Sequence, residues 1–199
     1  MPRTTRISLT TAALVLSRTF QPILVSTCLL LAVSLLGPGT LLHRILWFAA
    51  VALVATGVPI LFIALGIRSG KAEDLDLRDR MQRPLPLVVA LLCSGAAMLL
   101  LRLAHGPREM EVAVLAGLIP GAILTAITLW WKISFHTATI AGATIVLWWL
   151  LGRWALLGFL VCAAVGTSRV VLRRHTPAQA VAGAIVGSMG SLLVVLSAS

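Results

Sequence analysis

The chain has 199 residues, 59% of them apolar and only 11% charged, with a mean hydropathy of +1.04; soluble domains carry about a quarter charged residues, so the composition argues against a water-soluble fold. Each crossing of a roughly 30 Å hydrocarbon layer takes about 20 mostly apolar residues, which leaves room for one all-α, polytopic transmembrane bundle of six or seven helices, a single membrane-embedded domain over 1–199. The net charge of +10 does not point to nucleic acid, because the 16 basic residues fall in loops and at helix ends instead of forming an aromatic-interleaved patch; membrane lipids, phosphate and topology are the causes it fits.

The amino-terminal segment, 1–20, carries Arg3 and Arg6 and then an apolar stretch that Arg18 interrupts, with no small-residue cleavage site before Gly37, so it reads as retained. Apolar runs between breakers then predict spans at 21–37, 44–67, 85–104, 110–131, 134–151, 154–171 and 177–197. Gly37, Pro38 and Gly39 close the first of these, Gly106 and Pro107 precede the fourth, and Pro177 stands where the last begins. Cys28, Cys93 and Cys162 fall in three different spans without CxxC spacing and read as small core residues, not as disulfides or a zinc site. Gly183 and Gly187 form a GxxxG pair suited to close packing within the bundle. The Trp130–Trp131 and Trp148–Trp149 pairs, at the two ends of the fifth span, match interfacial aromatic belts. His43, His105, Arg44, Arg102, Arg108, Arg153, Arg173 and Arg174 read as interfacial residues and topology anchors.

Polar residues gather in three places: the loop 68–84, RSGKAEDLDLRDRMQRP, with four of the six acidic residues; Lys132 to Thr137, KISFHT; and Ser168 to Gln179, SRVVLRRHTPAQ. Two predicted crossings separate each cluster from the next, so all three reach the same membrane face. That face collects histidines, arginines and a lysine. Such a pocket suits a phosphate ester: guanidinium forks and an ammonium neutralise the non-bridging oxygens, one imidazole attacks phosphorus, and the other protonates the departing oxygen. The helix starting near Ser134 adds amino-terminal amides to the same anion site.

These residues also carry a resemblance. Ser168, Arg169, five residues, His175, three residues and Gln179, followed by AVAGAIVG, resemble the third signature of the type 2 phosphatidic acid phosphatase (lipid phosphate phosphatase) family, Ser-Arg-x5-His-x3-Asp. KISFHT resembles the second signature, Pro-Ser-Gly-His, through Ser134 and His136, and Arg83-Pro84 matches the Arg-Pro that closes the first, Lys-x6-Arg-Pro. Order and spacing agree over about residues 68–190, with 85–190 as the phosphatase-like core. The resemblance implies that His175 is the nucleophile that becomes a phosphohistidine and that His136 is the acid for the leaving alkoxide. It implies that Arg83, Ser134 and Arg169 hold the phosphate, and that no metal or other cofactor is used, because the cationic cradle stabilises the transition state.

Three departures mark the chain as a divergent relative. Asp76 stands where the family has lysine, with Lys132 or Arg80 as the replacement phosphate cation; Phe135 stands where it has glycine; and Gln179 replaces the aspartate that orients the nucleophile. A glutamine carbonyl can still accept the Nδ1 proton and fix the tautomer, without supplying charge. A second reading is therefore a non-catalytic binder of lipid phosphates on the same fold. A third takes Asp74, Asp76 and Asp79 followed by RPLP as similar to the magnesium-binding region of membrane prenyltransferases. That family needs a second aspartate-rich loop, and the remaining acids, Glu109 and Glu111, are predicted on the opposite face. Twelve of the 16 basic residues lie on the face of the three clusters, and setting Arg83, Lys132 and Arg169 aside as ligands still leaves nine against four. The positive-inside rule then predicts a cytoplasmic site, whereas the resemblance implies an extracytoplasmic one. The 14 arginines against two lysines fit a GC-rich bacterial genome and hence a bacterial cytoplasmic membrane. A site at the membrane face with no soluble domain favours an amphiphilic substrate: phosphatidic acid, phosphatidylglycerol phosphate, or a polyprenyl phosphate or diphosphate.

Overall fold

The computed structural model describes residues 3–69 and 84–198, all of the regular structure being helical. Residues 70–83 of the polar loop, among them Asp74, Asp76, Asp79, Arg80 and Arg83, lie outside the described residues. The order is α1 (Arg3–Thr19), α2 (Pro22–Leu36), α3 (Leu41–Ala52), α4 (Val58–Arg68), α5 (Pro84–Leu103), α6 (Arg108–Thr128), α7 (Phe135–Leu151), α8 (Gly158–Val171) and α9 (Pro177–Ala198). A helix stands at each of the seven predicted positions. α3 and α4 form one rod through a π-helical turn at Leu53–Gly57, and Pro59 explains that turn: it has no amide hydrogen for the ladder, and its ring displaces the carbonyl one turn back.

Five of these rods, Leu41–Arg68, Pro84–Leu103, Arg108–Thr128, Arg153–Val171 and Pro177–Ala198, are long and apolar enough to cross a membrane alone. α1 and α2 make a further pair, bent by 46°. The bend follows from Pro22, which holds Gln21 in an extended conformation (φ −63°, ψ 142°) and starts a new helix. The amino-terminal segment is thus a helix in its own right, packed on α8. The outer surface carries leucines such as Leu61, Leu92, Leu99, Leu160, Leu193 and Leu196, all more than half exposed, as a lipid-facing surface does and a soluble one does not. The protein is a polytopic, membrane-embedded α-helical bundle.

α7, at 17 residues, is shorter than each of the five rods named above and lies at the centre. Ten of its residues, from His136 to Val146, are buried, so no face of it looks outward. Hence the second tryptophan pair departs from the expected belt: Trp148 and Trp149 pack on the core, and the tryptophan exposed at that end is Trp154, with Arg153 stacked 5.4 Å from its ring centre. Trp130 and Trp131 are exposed as expected. Of the cysteines, Cys162 is buried and donates to the Thr137 carbonyl at 3.4 Å, whereas Cys28 lies on an exposed face, outside the core that the sequence predicted for it.

The GxxxG pair does hold the bundle together. α9 crosses α7 so closely that a Cβ on Gly187 would fall on the Ala138 carbonyl oxygen, and one on Gly183 would meet the Ser134 carbonyl and, at 2.6 Å, the Thr137 hydroxyl. Gly142 returns the fit, its hydrogen facing Ser191 Oγ at 2.7 Å from where a Cβ would stand. Gly187→Val is expected to push the two helices apart and to cost about 3 kcal/mol or more; a melting temperature in detergent equal to that of the unaltered protein would contradict this packing.

At the end opposite His136 and His175, Glu111 pairs with Arg102 at 2.8 Å, Arg108 donates to the Ala198 carbonyl, and Arg44 donates to the Leu35 carbonyl at 2.7 Å. The anchors there are tied to helix ends, as expected of residues that fix depth. Glu109 and Glu111, in the first turn of α6, sit at this end and not beside the clusters.

Candidate functional site

At the other end, three buried side chains from distant parts of the chain face one cavity. His136 is in the first turn of α7, Arg169 in the last turn of α8, and His175 in the turn before α9; each is less than a tenth exposed. All three line a cavity of about 340 Å³ that runs into the bundle between α2, α4, α5, α6 and α7.

The backbone explains how each is held. Ser134 caps α7, its hydroxyl accepting from the Thr137 amide at 3.4 Å, while its own amide donates to the Gln179 carbonyl at 3.3 Å. Thr137 Oγ1 donates to the Ala180 carbonyl at 2.7 Å, so the start of α7 is stitched to the start of α9. Just past the end of α8, Arg173 takes the left-handed conformation (φ 53°). The Arg174 and His175 amides then fold back onto the Arg169 carbonyl at 2.9 and 3.3 Å. That is the physical content of the five-residue spacing between Arg169 and His175: one helix stop turns both side chains toward the same space.

α9 opens with a capping box. Gln179 N donates to Thr176 Oγ1 at 3.3 Å, Thr176 N donates to Gln179 Oε1 at 3.1 Å, and Pro177 occupies the first helical turn. The same Gln179 oxygen accepts from His175 Nδ1 at 3.2 Å. With Nδ1 as the donor, the lone pair is on Nε2. Gln179 therefore occupies the orienting position expected from the sequence and supplies a carbonyl there.

Arg169 Nη1 donates to Ser17 Oγ at 2.7 Å and contacts His136 Nε2 at 3.4 Å. Ser17, on α1 and only 3% exposed, is the part of the site that sequence reasoning missed. Nothing near it signals the role, because its partner is 152 residues away. Two expected phosphate ligands are placed differently. Ser134 is fully buried, spends its hydroxyl on the α7 cap and is not on the cavity wall; Lys132 is half-buried in the α6–α7 turn and is also off the wall. Both lie within the same end of the bundle. Arg80 and Arg83 are outside the described residues. Among the described residues, no group of three or more His, Cys, Asp or Glu side chains is arranged to hold a metal ion.

Fold and site together define a class: a polytopic membrane bundle with a buried imidazole–guanidinium cluster at one end, opening onto an apolar cavity. No family model, curated protein or solved structure matches the chain.

Proposed function

We propose that this protein is an integral membrane lipid phosphate phosphatase, hydrolysing a phosphomonoester or diphosphate of a lipid through a phosphohistidine. The observation that carries this reading is the convergence of His136, Arg169 and an oriented His175 on one cavity whose remaining wall is mostly apolar, with scattered hydroxyls such as Ser94 and Thr125. It accommodates a charged head and a greasy tail in one continuous space.

In this reading the phosphate sits against Arg169, whose guanidinium is fixed before substrate arrives and needs little reorganisation. His175 Nε2 attacks phosphorus as the ester P–O bond breaks, and His136 delivers a proton to the departing alkoxide. Water then attacks the phosphohistidine, His136 takes the water proton, inorganic phosphate leaves, and His175 is restored. Gln179 holds the His175 ring throughout; being neutral, it stabilises the imidazolium less than a carboxylate does. That neutrality is what favours the second reading, a lipid-phosphate-binding protein without turnover.

Purified protein assayed on a panel of lipid phosphates, with and without chelator, separates the two. Phosphate release that persists in chelator and is inhibited by vanadate supports the phosphatase; binding of lipid phosphate without any release supports the binder. Ser17→Ala frees Arg169 from one hydrogen bond and is expected to raise KM by up to about tenfold with a smaller change in kcat; unchanged kinetics would remove Ser17 from the site.

The charge distribution supports a site on the cytoplasmic face of a bacterial cytoplasmic membrane. Trp130→Cys, with Cys28, Cys93 and Cys162 replaced by alanine, places a thiol in the exposed α6–α7 turn beside the site. It is expected to resist an impermeant maleimide in intact cells and to react in inverted vesicles; labelling from outside would reverse the orientation.

A further inference from the structure

Beneath the cluster of His136, Arg169 and His175, the five helices that wall the cavity bound its depth independently. On α7 the lining runs from His136 to Val146, ten residues or about 15 Å at 1.5 Å per residue; on α6 it runs from Thr125 back to Ala113, about 18 Å. α2, the π-helical turn before α4, and α5 agree, their deepest lining residues being Leu30, Ala55 and Ser94. The cavity thus reaches about the middle of a roughly 30 Å hydrocarbon layer and ends inside the protein.

Its width follows from the volume. A methylene takes about as much room as a water molecule, roughly 30 Å³, so about 340 Å³ holds on the order of ten chain carbons. An extended chain of that length fills about the depth the helices give. Volume and depth together match one chain.

We infer that the cavity is a tail-binding site for one linear hydrocarbon chain, and that the preferred substrate is the phosphate ester of a single-chain amphiphile, alkyl or prenyl, instead of a two-chain phospholipid. This rests on the phosphatase reading for the fate of the phosphate, but the chain preference can be read without turnover. The tail leaves the bilayer for the interior of the bundle, so its length is measured against a protein floor.

The test is a chain panel on the purified full-length protein: linear alkyl phosphates from butyl to hexadecyl, geranyl and farnesyl phosphate, and dioleoyl phosphatidic acid. One-chain esters are expected to be turned over at least about tenfold more efficiently than phosphatidic acid. Their kcat/KM should rise with chain length, by at most roughly fourfold per methylene, and flatten near ten carbons. The alkyl and prenyl arms show which chain chemistry the cavity takes. Gly117→Leu and Ser94→Leu fill the deep wall, and a Cβ at Gly117 meets nothing within 4 Å; both variants should flatten the profile at shorter chains, which partition into detergent cannot mimic.

Phosphatidic acid turned over as well as the one-chain esters would overturn the inference, as would wild-type chain profiles in both variants. If nothing is hydrolysed, the phosphatase reading fails, and protection of the wild-type protein against heating by decyl phosphate over phosphatidic acid decides the chain preference alone. Equal protection would overturn it.

Discussion

His175→Ala loses phosphate release altogether, a fall on the order of 10⁴-fold or more, the scale expected when a covalent nucleophile is removed and no other group can take its place. His175 is the imidazole whose tautomer is fixed, Nδ1 donating to Gln179 Oε1 at 3.2 Å while the ring borders the cavity. Its amide is clamped to the Arg169 carbonyl and its neighbour Thr176 caps α9, so the ring is held from both sides. Alanine leaves these backbone bonds in place. The variant should therefore melt within a few degrees of the unaltered protein and still bind lipid phosphate. Steady-state phosphate release is the measurement; residual turnover within tenfold of wild type would mean that another group attacks phosphorus.

Arg169→Ala is the second large effect. A guanidinium only 3% exposed, bridging Ser17 and His136, is a preorganised donor of the kind whose loss costs about 10²–10³ in kcat. Arg169→Lys keeps the charge without the planar fork, and should recover part of the rate and not all of it. Because the arginine also ties α1 to α8, its removal should loosen the amino-terminal helix, which hydrogen exchange over residues 3–19 would report as faster exchange. A variant with wild-type kcat would place the phosphate away from Arg169.

Much of this architecture is legible in the sequence. Crossing a bilayer demands long apolar runs, and Gly37–Gly39, Gly106–Pro107 and Pro177 cut those runs where the helices end. Counting crossings then brought His136 and His175 to one face, and they share a cavity there. Gln179 was legible too, since a carbonyl four residues past a histidine on a helix start can reach Nδ1.

What escaped has physical reasons. Ser17 meets Arg169 only through a tertiary contact, and a single serine in an apolar stretch carries no period or spacing to betray it. The hydroxyl of Ser134 suits an anion site and a helix cap alike, and nothing in the sequence distinguishes the two; the start of α7 uses it as a cap. The tryptophans at Trp148 and Trp149 were assigned to a membrane belt on position in the chain, but α7 has no lipid face to put them on. The inner cavity has no signature in the sequence, because its walls are mostly apolar residues with scattered Ser and Thr that look like any other helix core.

Whether His175 carries the phosphate between the two chemical steps is decided by a trapping experiment. Protein exposed briefly to a ³²P-labelled lipid phosphate, quenched in alkali and mapped by mass spectrometry should hold an acid-labile phosphate on His175. His175→Ala should hold none. Turnover with no phosphohistidine in the wild-type protein, or label retained by the alanine variant, would contradict the account.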